Sequence, residues 1–320
     1  MQAMQASEPA LIHNLFKGGK RFPSGEIMAY NKIIIGICLI ILNIGFASAA
    51  TLNVGQGQAY ATIQSAIDAA KTGDIISVAE GTYSENLVVK TNGISIIGMN
   101  KEKTIIDGKK TGSSVKIEAN DVKVSGFTVE NSGGSGQSDG GISLYSANNN
   151  IIANMIIVKN VNGITIYSGS NNNIVSGNDI KSNKYGIFIF SSSDNKIYNN
   201  NIQINKIGIY CDSARTNQIY SNNLINNNDQ AYDNSGLNSW DDGKSGNYWS
   251  VNKGILGGKN AKDNYPLASA VSIKEEAIPA PTEQTAKETA SGGTGKPSPG
   301  FAGFAVIVSL IVIGILSKKK

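Results

Sequence analysis

The chain has 320 residues, enough for one large domain or two ordinary ones. Its formal net charge is +4, but residues 50–298 hold 21 Lys and Arg against 22 Asp and Glu, a net of −1. A balanced central part excludes a basic surface for nucleic acid. Residues 1–27 show no hydrophobic period, so we interpret them as a leader, or as sequence upstream of a true start at Met28.

An export signal follows at residues 28–49. A short polar region ends at Lys32, an apolar run spans 33–44, and Ala47-Ser48-Ala49 forms an A-x-A site. We expect signal peptidase to cleave after Ala49. A retained N-terminal anchor is the alternative.

Residues 50–270 repeat one marker about every 22 residues. Gly-Ile pairs begin at Gly141, Gly163, Gly186 and Gly208, with spacings of 22, 23 and 22. Short strands between Asn, Ser and Gly turns cannot bury their apolar residues alone, but stacked coils can. The sequence therefore predicts an all-β, parallel β-helix of about eight coils. A helix over 61–70 is predicted to cover its first coil.

Alternation within the strands predicts which side chains enter the core. One inward ladder is Ile142, Ile164, Ile187 and Ile209, and a second is Leu144, Ile166, Ile189 and Cys211. Cys211 is therefore predicted to be a core residue and not a nucleophile. Three segments upstream are predicted as the matching strands: 75–78, 94–97 and 115–117. The abundant Asn residues are predicted to stack in amide ladders at the turns.

Several segments of residues 50–270, which we call the body, resemble known families. Tyr60-Ala61-Thr62-Ile63-Gln64 and Gly81-Thr82-Tyr83-Ser84-Glu85 resemble the entry segment of pectin-lyase-like β-helices. The Gly-Ile and Asn-rich copies resemble repeats of the copper-associated NosD family, and residues 238–267 resemble the end of such domains. The resemblance covers residues 58–267 and implies a right-handed, single-stranded β-helix. It implies little about activity, because this fold hosts many functions.

The C-terminal part predicts anchoring. Residues 271–298 are polar and rich in Pro, Thr, Glu and Gly, which predicts a disordered stalk. Residues 299–320 hold Pro299-Gly300-Phe301, an apolar run and three lysines, and resemble the Pro-Gly-Phe sorting signal of archaeal surface proteins. In that family an archaeosortase replaces the tail with a lipid. A permanent transmembrane anchor is the alternative. Either version places the body on the outer face of the cell membrane.

Metal sites have weak support in the sequence. Copper prefers His, Cys or Met ligands, but the one histidine, His13, precedes the signal peptide, so copper is not expected. The segment 133–139 resembles a G-G-x-G-x-D calcium repeat, although Ser138 stands where Asp belongs and the motif occurs once. We expect a loop there, with calcium as the alternative, and otherwise no cofactor.

An enzyme of this fold would need paired carboxylates. The catalytic candidates are Asp139, Asp179, Asp212 and Asp233. Aspartate is also a common turn residue, and no pair repeats a known catalytic constellation. The sequence therefore favours a non-catalytic protein over a polysaccharide lyase, hydrolase or epimerase.

Outward positions give the stronger signal, because aromatic residues recur there one coil apart. The candidate ligand-binding residues are Tyr145, Tyr167, Phe188, Phe190, Tyr210 and Tyr232, with Trp240 and Trp249 at the end of the body. The structural interpretation is cross-strand stacking, and for the two tryptophans a cap on the last coil. The functional interpretation is an exposed platform for a glycan or an envelope protein. The sequence thus predicts a surface protein that acts in envelope structure or adhesion.

Overall fold

The computed structural model describes residues 49–134, 136, 138–251 and 254–275. These residues form one helix, α1 (Ile63–Ala69), and 24 strands. In chain order the strands are β1 (Thr51–Val54), β2 (Ile75–Val78), β3 (Gly81–Tyr83), β4 (Leu87–Val89), β5 (Ser95–Gly98), β6 (Thr104–Asp107), β7 (Val115–Ile117), β8 (Lys123–Ser125), β9 (Thr128–Glu130), β10 (Ile142–Tyr145), β11 (Ile151–Ala153), β12 (Ile156–Val158), β13 (Asn162–Tyr167), β14 (Ile174–Ser176), β15 (Asp179–Lys181), β16 (Tyr185–Phe190), β17 (Lys196–Tyr198), β18 (Asn201–Gln203), β19 (Ile207–Asp212), β20 (Gln218–Tyr220), β21 (Asn223–Ile225), β22 (Asp229–Asp233), β23 (Tyr248–Trp249) and β24 (Ile255–Gly257).

The strands form three parallel sheets of eight strands each. Sheet A runs from β1 through β2 to β20, sheet B from β3 to β23, and sheet C from β4 to β24. Consecutive strands from β2 to β22 lie in sheets A, B and C in turn, which makes seven complete coils with an incomplete coil at each end. The chain is a right-handed parallel β-helix, as predicted, and its extent agrees with the predicted number of coils.

The core is the set of inward side chains that stack from coil to coil. Both predicted ladders are confirmed: Ile142, Ile164, Ile187 and Ile209, and Leu144, Ile166, Ile189 and Cys211, are 0% exposed. Burial of each Ile or Leu side chain contributes about 1.5–3 kcal/mol to the free energy of folding. The predicted match of the upstream segments was wrong in part. The segments at β2 and β5 were predicted to align with the Gly-Ile strands of sheet C but lie in sheet A. The strand that precedes β7 in sheet C is β4, which the repeat did not reveal.

An asparagine ladder runs along each of the three corners of the coil. The ladders are Asn150, Asn173, Asn195, Asn217 and Asn238 before sheet A; Asn178, Asn200, Asn222 and Asn247 between sheets A and B; and Asn160, Asn183, Asn205 and Asn227 between sheets B and C. All are buried. Each amide satisfies backbone groups that the turn leaves open, so the predicted structural role of these residues is confirmed.

Close packing at the corner before sheet C explains the glycine of the Gly-Ile marker. A Cβ added to Gly186 would lie 2.5 Å from the Gly208 carbonyl oxygen and 2.9 Å from Ile202 Cγ2. Because coils approach this closely at each repeat, only glycine fits there.

The N-terminal end is closed by α1, as predicted. Its apolar face is buried, and the Glu85 carboxylate accepts hydrogen bonds from the backbone N–H groups of Ile63 and Gln64, both at 3.0 Å. The Gln64 side chain accepts from Val88 N–H at 2.8 Å and donates to Val88 O at 3.1 Å. A side-chain amide thus pairs with the outer edge of β4, an edge that is otherwise open to solvent.

After the last coil the chain returns along the outside of the solenoid. This return segment, residues 268–275, follows the corner between sheets A and B. Its contacts are the Asn223 side chain with Val271 N–H and O (2.8 Å each), Asn199 Nδ2 with Lys274 O (2.7 Å), and Lys101 Nζ with Glu275 Oε1 (2.7 Å). The body therefore continues to residue 275. The predicted leader, the signal peptide up to residue 48, the rest of the stalk and the sorting signal lie outside the described residues.

Within the described part of the chain, no helix is both long and apolar enough to cross a membrane. The body has a continuous core with a cap at its N-terminal end, and at its other end Trp240 lies fully buried. We therefore treat residues 50–275 as a unit that folds by itself.

Candidate functional site: the aromatic surface of sheet C

The outer face of sheet C concentrates the exposed aromatic residues that the repeat predicts. We define the aromatic surface as Tyr145, Tyr167, Tyr185, Phe188, Phe190, Tyr210 and Tyr232. Its strands are in parallel register, so equivalent residues of successive coils are direct neighbours. The predicted candidates other than the two tryptophans are therefore brought together on one face.

The first row stacks face to face along the solenoid axis. The ring centroids of Tyr145 and Tyr167 are 5.8 Å apart with planes at 17°, and those of Tyr167 and Phe190 are 5.0 Å apart at 15°. Lys116 Nζ lies 5.0 Å from the centroid of the Tyr145 ring, over its face. The row therefore uses its ring faces internally and presents ring edges to solvent.

The second row is similar until its last ring. Phe188 and Tyr210 stack at 5.4 Å and 14°, whereas Tyr232 meets Tyr210 at 5.2 Å and 75°, edge to face. Tyr185, which was not among the predicted candidates, stacks on Tyr210 at 5.4 Å. Alternation along β16 does not predict it, because Gly186 takes the outward position at that end of the strand. Tyr185, the first residue of β16, would then be expected to point inward.

The exposed position predicted for Phe188 is wrong. Phe188 points outward but is only 2% exposed, because the rings of Tyr185, Phe190 and Tyr210 surround it. Phe188 therefore supports the aromatic surface from below and cannot itself contact a large ligand.

Charge is confined to the rim of the aromatic surface. The Lys116 ammonium donates a hydrogen bond to Glu118, which together with the nearby positive charges of Lys116 and Lys90 lowers the pKa of Glu118. At the other rim, burial raises the pKa of Tyr210, with the neighbouring Asp212 acting in the same direction. A third charge, the Lys184 ammonium, lies 4.9 Å from the centroid of the Tyr185 ring, at the start of β16.

A smaller aromatic pair lies on sheet A. Tyr198 and Tyr220 stack at 5.3 Å and 12°. Both rings are partly exposed, so the pair offers a matched reference for the larger surface on sheet C.

The four candidate aspartates do not come together as a pair of catalytic carboxylates. Asp139 lies in the loop before β10, where it accepts a hydrogen bond from Gly136 N–H at 3.2 Å. Asp179, in sheet B, is bonded to Lys181 at 2.6 Å and Gln203 at 2.8 Å. Asp212 ends β19 in sheet C, in register with Phe190. They occupy separate elements, and each has a local structural partner or position.

Asp233 is a correction to the candidate set, because it lies inside the core at 0% exposure. One carboxylate oxygen accepts from Ser235, Gly236 and Asn238 at 2.9–3.0 Å. The other accepts from Trp240 Nε1 at 3.2 Å. Four donors compensate its burial, so Asp233 holds the last turns of the chain and is not available to a substrate.

The Trp-rich end is mainly a cap. Trp240 is 0% exposed, which agrees with its expected role in covering the last coil and leaves its ring out of reach of a ligand, the alternative role. Trp249 is partly buried, packs 5.8 Å from Trp240, and donates from Nε1 to Asp263 at 2.9 Å. Hydrogen bonds from the Asn264 backbone and side chain and from Gly243 outweigh the effect of burial and lower the pKa of Asp241 nearby.

The loop at 131–140 is held at both ends by the asparagine residues of the next coil. Asn160 Oδ1 accepts from Ser132 N–H at 3.0 Å, and Asn162 Nδ2 donates to Asp139 O at 2.7 Å. Across the part of the chain that the structure describes, no three His, Cys, Asp or Glu side chains group as metal ligands. Asp139 is the single carboxylate of residues 131–140, so a calcium ion there would depend on backbone carbonyl and amide oxygens for its other ligands.

Copper has no fitting donor set in the described residues either. Cys211 is 0% exposed, and burial, followed by the nearby charge of Asp233, raises its pKa well above the ordinary thiol value. Met155 is also in the core, and Met99 stands alone on the surface at 62% exposure. These soft donors cannot converge on one ion.

Solved structures share the fold with this chain at low identity. An alginate lyase from Paenibacillus sp. str. FPU-7 is 14% identical with a TM-score of 0.43, over 69% of this chain and 96% of the enzyme. A pectin methylesterase from carrot is 14% identical with a TM-score of 0.41, over 72% and 89%. The protein ORF18 of Geobacillus virus E2 is 17% identical with a TM-score of 0.47, over 64% and 46%.

No curated protein matches the chain significantly. A family model does: that of the periplasmic copper-binding protein NosD matches residues 51–254, from the first residue of β1 to the residue before β24. This is well over half of the 320 residues. The repeat, the coil-to-coil register and this match lead to one conclusion: the chain belongs to the NosD family.

Proposed function

We propose that the protein is exported, anchored at the outer face of the cell membrane, and non-catalytic, and that it binds a protein of the cell envelope through the aromatic surface. The periplasmic description of the NosD family supports export. The Pro299-Gly300-Phe301 signal of the sequence supports anchoring.

One observation carries the binding proposal: six partly exposed aromatic residues, supported from below by Phe188, cover one face of sheet C, and charged side chains lie at its rim. A contiguous uncharged aromatic area on a regular scaffold is typical of an interaction site. Many of the ring faces are covered by neighbouring rings, and Lys116 and Lys184 lie over those of Tyr145 and Tyr185. This leaves mainly ring edges and tyrosine hydroxyl groups for a partner. Sugars stack on open ring faces, whereas protein interfaces use tyrosine as a rigid amphipathic contact. A protein partner is therefore favoured over a glycan.

Binding of residues 50–275 to isolated cell envelopes tests this function. The double variant Tyr145→Ser, Tyr232→Ser alters both ends of the aromatic surface without touching the core. We expect it to lose at least tenfold in affinity, since tyrosines are enriched among the few interface residues whose loss costs about 1 kcal/mol or more each. The matched control, Tyr198→Ser with Tyr220→Ser on sheet A, should bind like the unaltered body. Equal binding by both double variants would contradict the proposal.

Treatment of the envelopes separates the two kinds of partner. Protease treatment should abolish binding if the partner is a protein, while periodate oxidation of sugars should leave it intact. The reverse result would assign the surface to a glycan. Release of reducing ends or unsaturated uronates from polysaccharides would show an enzyme and overturn the non-catalytic assignment.

Anchoring has its own test. Replacement of Pro299, Gly300 and Phe301 by alanine should change how the protein is retained by cells that process such signals. Incorporation of a labelled lipid into the unaltered chain, and none into the variant, would support lipid replacement. A full-length chain in the membrane fraction for both would instead indicate a permanent anchor.

A further inference from the structure

A buried carboxylate lies beside the first residue of the folded body. Asp74 is 7% exposed. Its Oδ1 accepts a hydrogen bond from the backbone N–H of Ala50 at 2.8 Å, and its Oδ2 accepts from the backbone N–H of Lys71 at 2.8 Å. Among the side chains of residues 49–275 that the structure describes, no lysine or arginine forms an ion pair with it. Asp74 thus faces two neutral backbone donors.

The position of the Ala50 nitrogen is fixed by the sheet. Ile75 N–H donates to Ala50 O at 2.8 Å, and β1 then pairs with β2 from Thr51 to Val54. The Ala50 nitrogen that donates to Asp74 is therefore held in place by the pairing of β1 with β2 in sheet A. Any charge placed on this nitrogen would lie within hydrogen-bond distance of the Asp74 carboxylate.

The sequence places a signal-peptidase site at the bond before this nitrogen. Ala47-Ser48-Ala49 has the A-x-A pattern, with cleavage expected after Ala49. Hydrolysis adds water across the Ala49–Ala50 peptide bond. The carboxylate of Ala49 leaves with the leader, and Ala50 acquires a free α-amino group, which is protonated near neutral pH. We infer that the chain is processed between Ala49 and Ala50, and that the new α-ammonium group forms an ion pair with the buried Asp74 carboxylate.

The consequence is that processing stabilises the fold. Before cleavage the carboxylate is buried without a counter-charge, which is unfavourable. Before cleavage only the acceptor of this hydrogen bond is charged, whereas after cleavage donor and acceptor carry opposite charges, so a Coulomb attraction between them is added to the bond. The exported body therefore becomes more stable than its precursor. This inference rests on the export part of the proposed function and is independent of the aromatic surface.

Thermal unfolding of two forms of the body tests the ion pair. One form begins at Ala50, the other begins at Gly45, and both end at residue 275 after release from a fusion without extra residues. We expect the form that begins at Ala50 to melt about 2–4 °C higher at pH 6.5. Asp74→Asn should remove the difference, because a neutral side chain gains nothing from the ammonium group. Equal melting of both forms with Asp74 intact would overturn the ion pair.

A pH series covers the case in which the Asp74→Asn variant does not fold. The ion pair needs a protonated α-amino group, so its stabilisation is lost as pH rises through the range in which that group gives up its proton. The melting difference should therefore vanish by about pH 10. A difference that persists there would also contradict the ion pair.

The cleavage site is tested separately by mass spectrometry of the N-terminal peptide from the protein exported by cells. The expected first residue is Ala50. Another first residue would overturn the assignment. Neither result depends on whether the body binds cell envelopes, so failure of the binding proposal would be recognised independently.

Discussion

Asn178 donates two hydrogen bonds to a single oxygen atom of Asn200 in the corner between sheets A and B. The Oδ1 of Asn200 accepts both the backbone N–H of Asn178 at 3.0 Å and its side-chain Nδ2 at 2.9 Å. Asn200 in turn donates to Asn222 Oδ1 and to the Val175 carbonyl, each at 2.9 Å. One buried side chain thus connects three coils.

Replacing Asn200 with alanine removes this link. The backbone N–H of Asn178 would lose its acceptor, and Asn178 Nδ2 and Asn222 Oδ1 would each lose one of their partners, so we expect a loss of about 3 kcal/mol in the free energy of unfolding. Urea unfolding of the body measures it. Asn53→Ala, at an exposed position in β1, is the matched control and should change stability by less than about 0.5 kcal/mol. Equal effects of the two substitutions would show that the ladder does not stabilise the solenoid.

Asp233→Ala should open the C-terminal end. The loss of its bonds to Gly236 N–H and Trp240 Nε1 leaves these buried donors without their acceptor. We expect a red shift of tryptophan fluorescence and a lower melting temperature. Asp212→Ala, at a partly exposed carboxylate that ends β19, should change neither. An unchanged spectrum in the Asp233 variant would mean that this carboxylate does not hold the cap.

Cys211 gives the body a defined dependence on alkaline pH. Burial raises the thiol pKa in the folded state, so its contribution is fully present below the unfolded value of about 8.5 and falls as pH rises above it. Above pH 8.5 the stability of the unaltered body should fall more steeply than that of Cys211→Ala, by up to about 1.4 kcal/mol per pH unit. Urea unfolding at pH 7, 8.5 and 10 measures both slopes. Parallel slopes would contradict a sealed thiol, as would rapid reaction with Ellman's reagent in the folded state.

Ile204 offers a stabilising substitution. It has φ 56° and is 59% exposed, although a β-branched residue is strained in this left-handed region. The equivalent positions of neighbouring coils hold Ser182 and Asn226, which tolerate it better. We expect Ile204→Asn to raise stability by about 1 kcal/mol in thermal unfolding. Ile225→Asn, in the adjacent strand β21, should not stabilise, and a gain there would mean that polarity, not backbone conformation, is responsible.

The sequence predicted the repeating part of the molecule well because a 22-residue period fixes register. Cys211 and the isoleucines of its ladder were placed correctly by alternation alone. The same alternation carried one coil further, to Ala231 and Asp233, would have placed Asp233 inside. It was missed because aspartate in a core is unusual without several donors, and those donors come from later turns of the chain.

Other features had no periodic signal. Phe188 points outward as predicted, but its burial depends on how neighbouring rings lean over it, which alternation does not describe. Tyr185 lies at a strand end, outside the alternating positions. The partners of Lys274 and Glu275 are Asn199 and Lys101, 75 and 174 residues away, and nothing in the local sequence indicates such contacts.

The return segment has a mechanical consequence. Glu275 is held beside Lys101, so tension applied through the chain beyond it would act first on the flank of the solenoid and not on the last coil. Residues 275 to 268 would detach one contact at a time and release roughly 25 Å of extended chain. The return segment, held by a few polar contacts, would thus detach before any coil unfolds, and its extension would take up a brief pull on the chain.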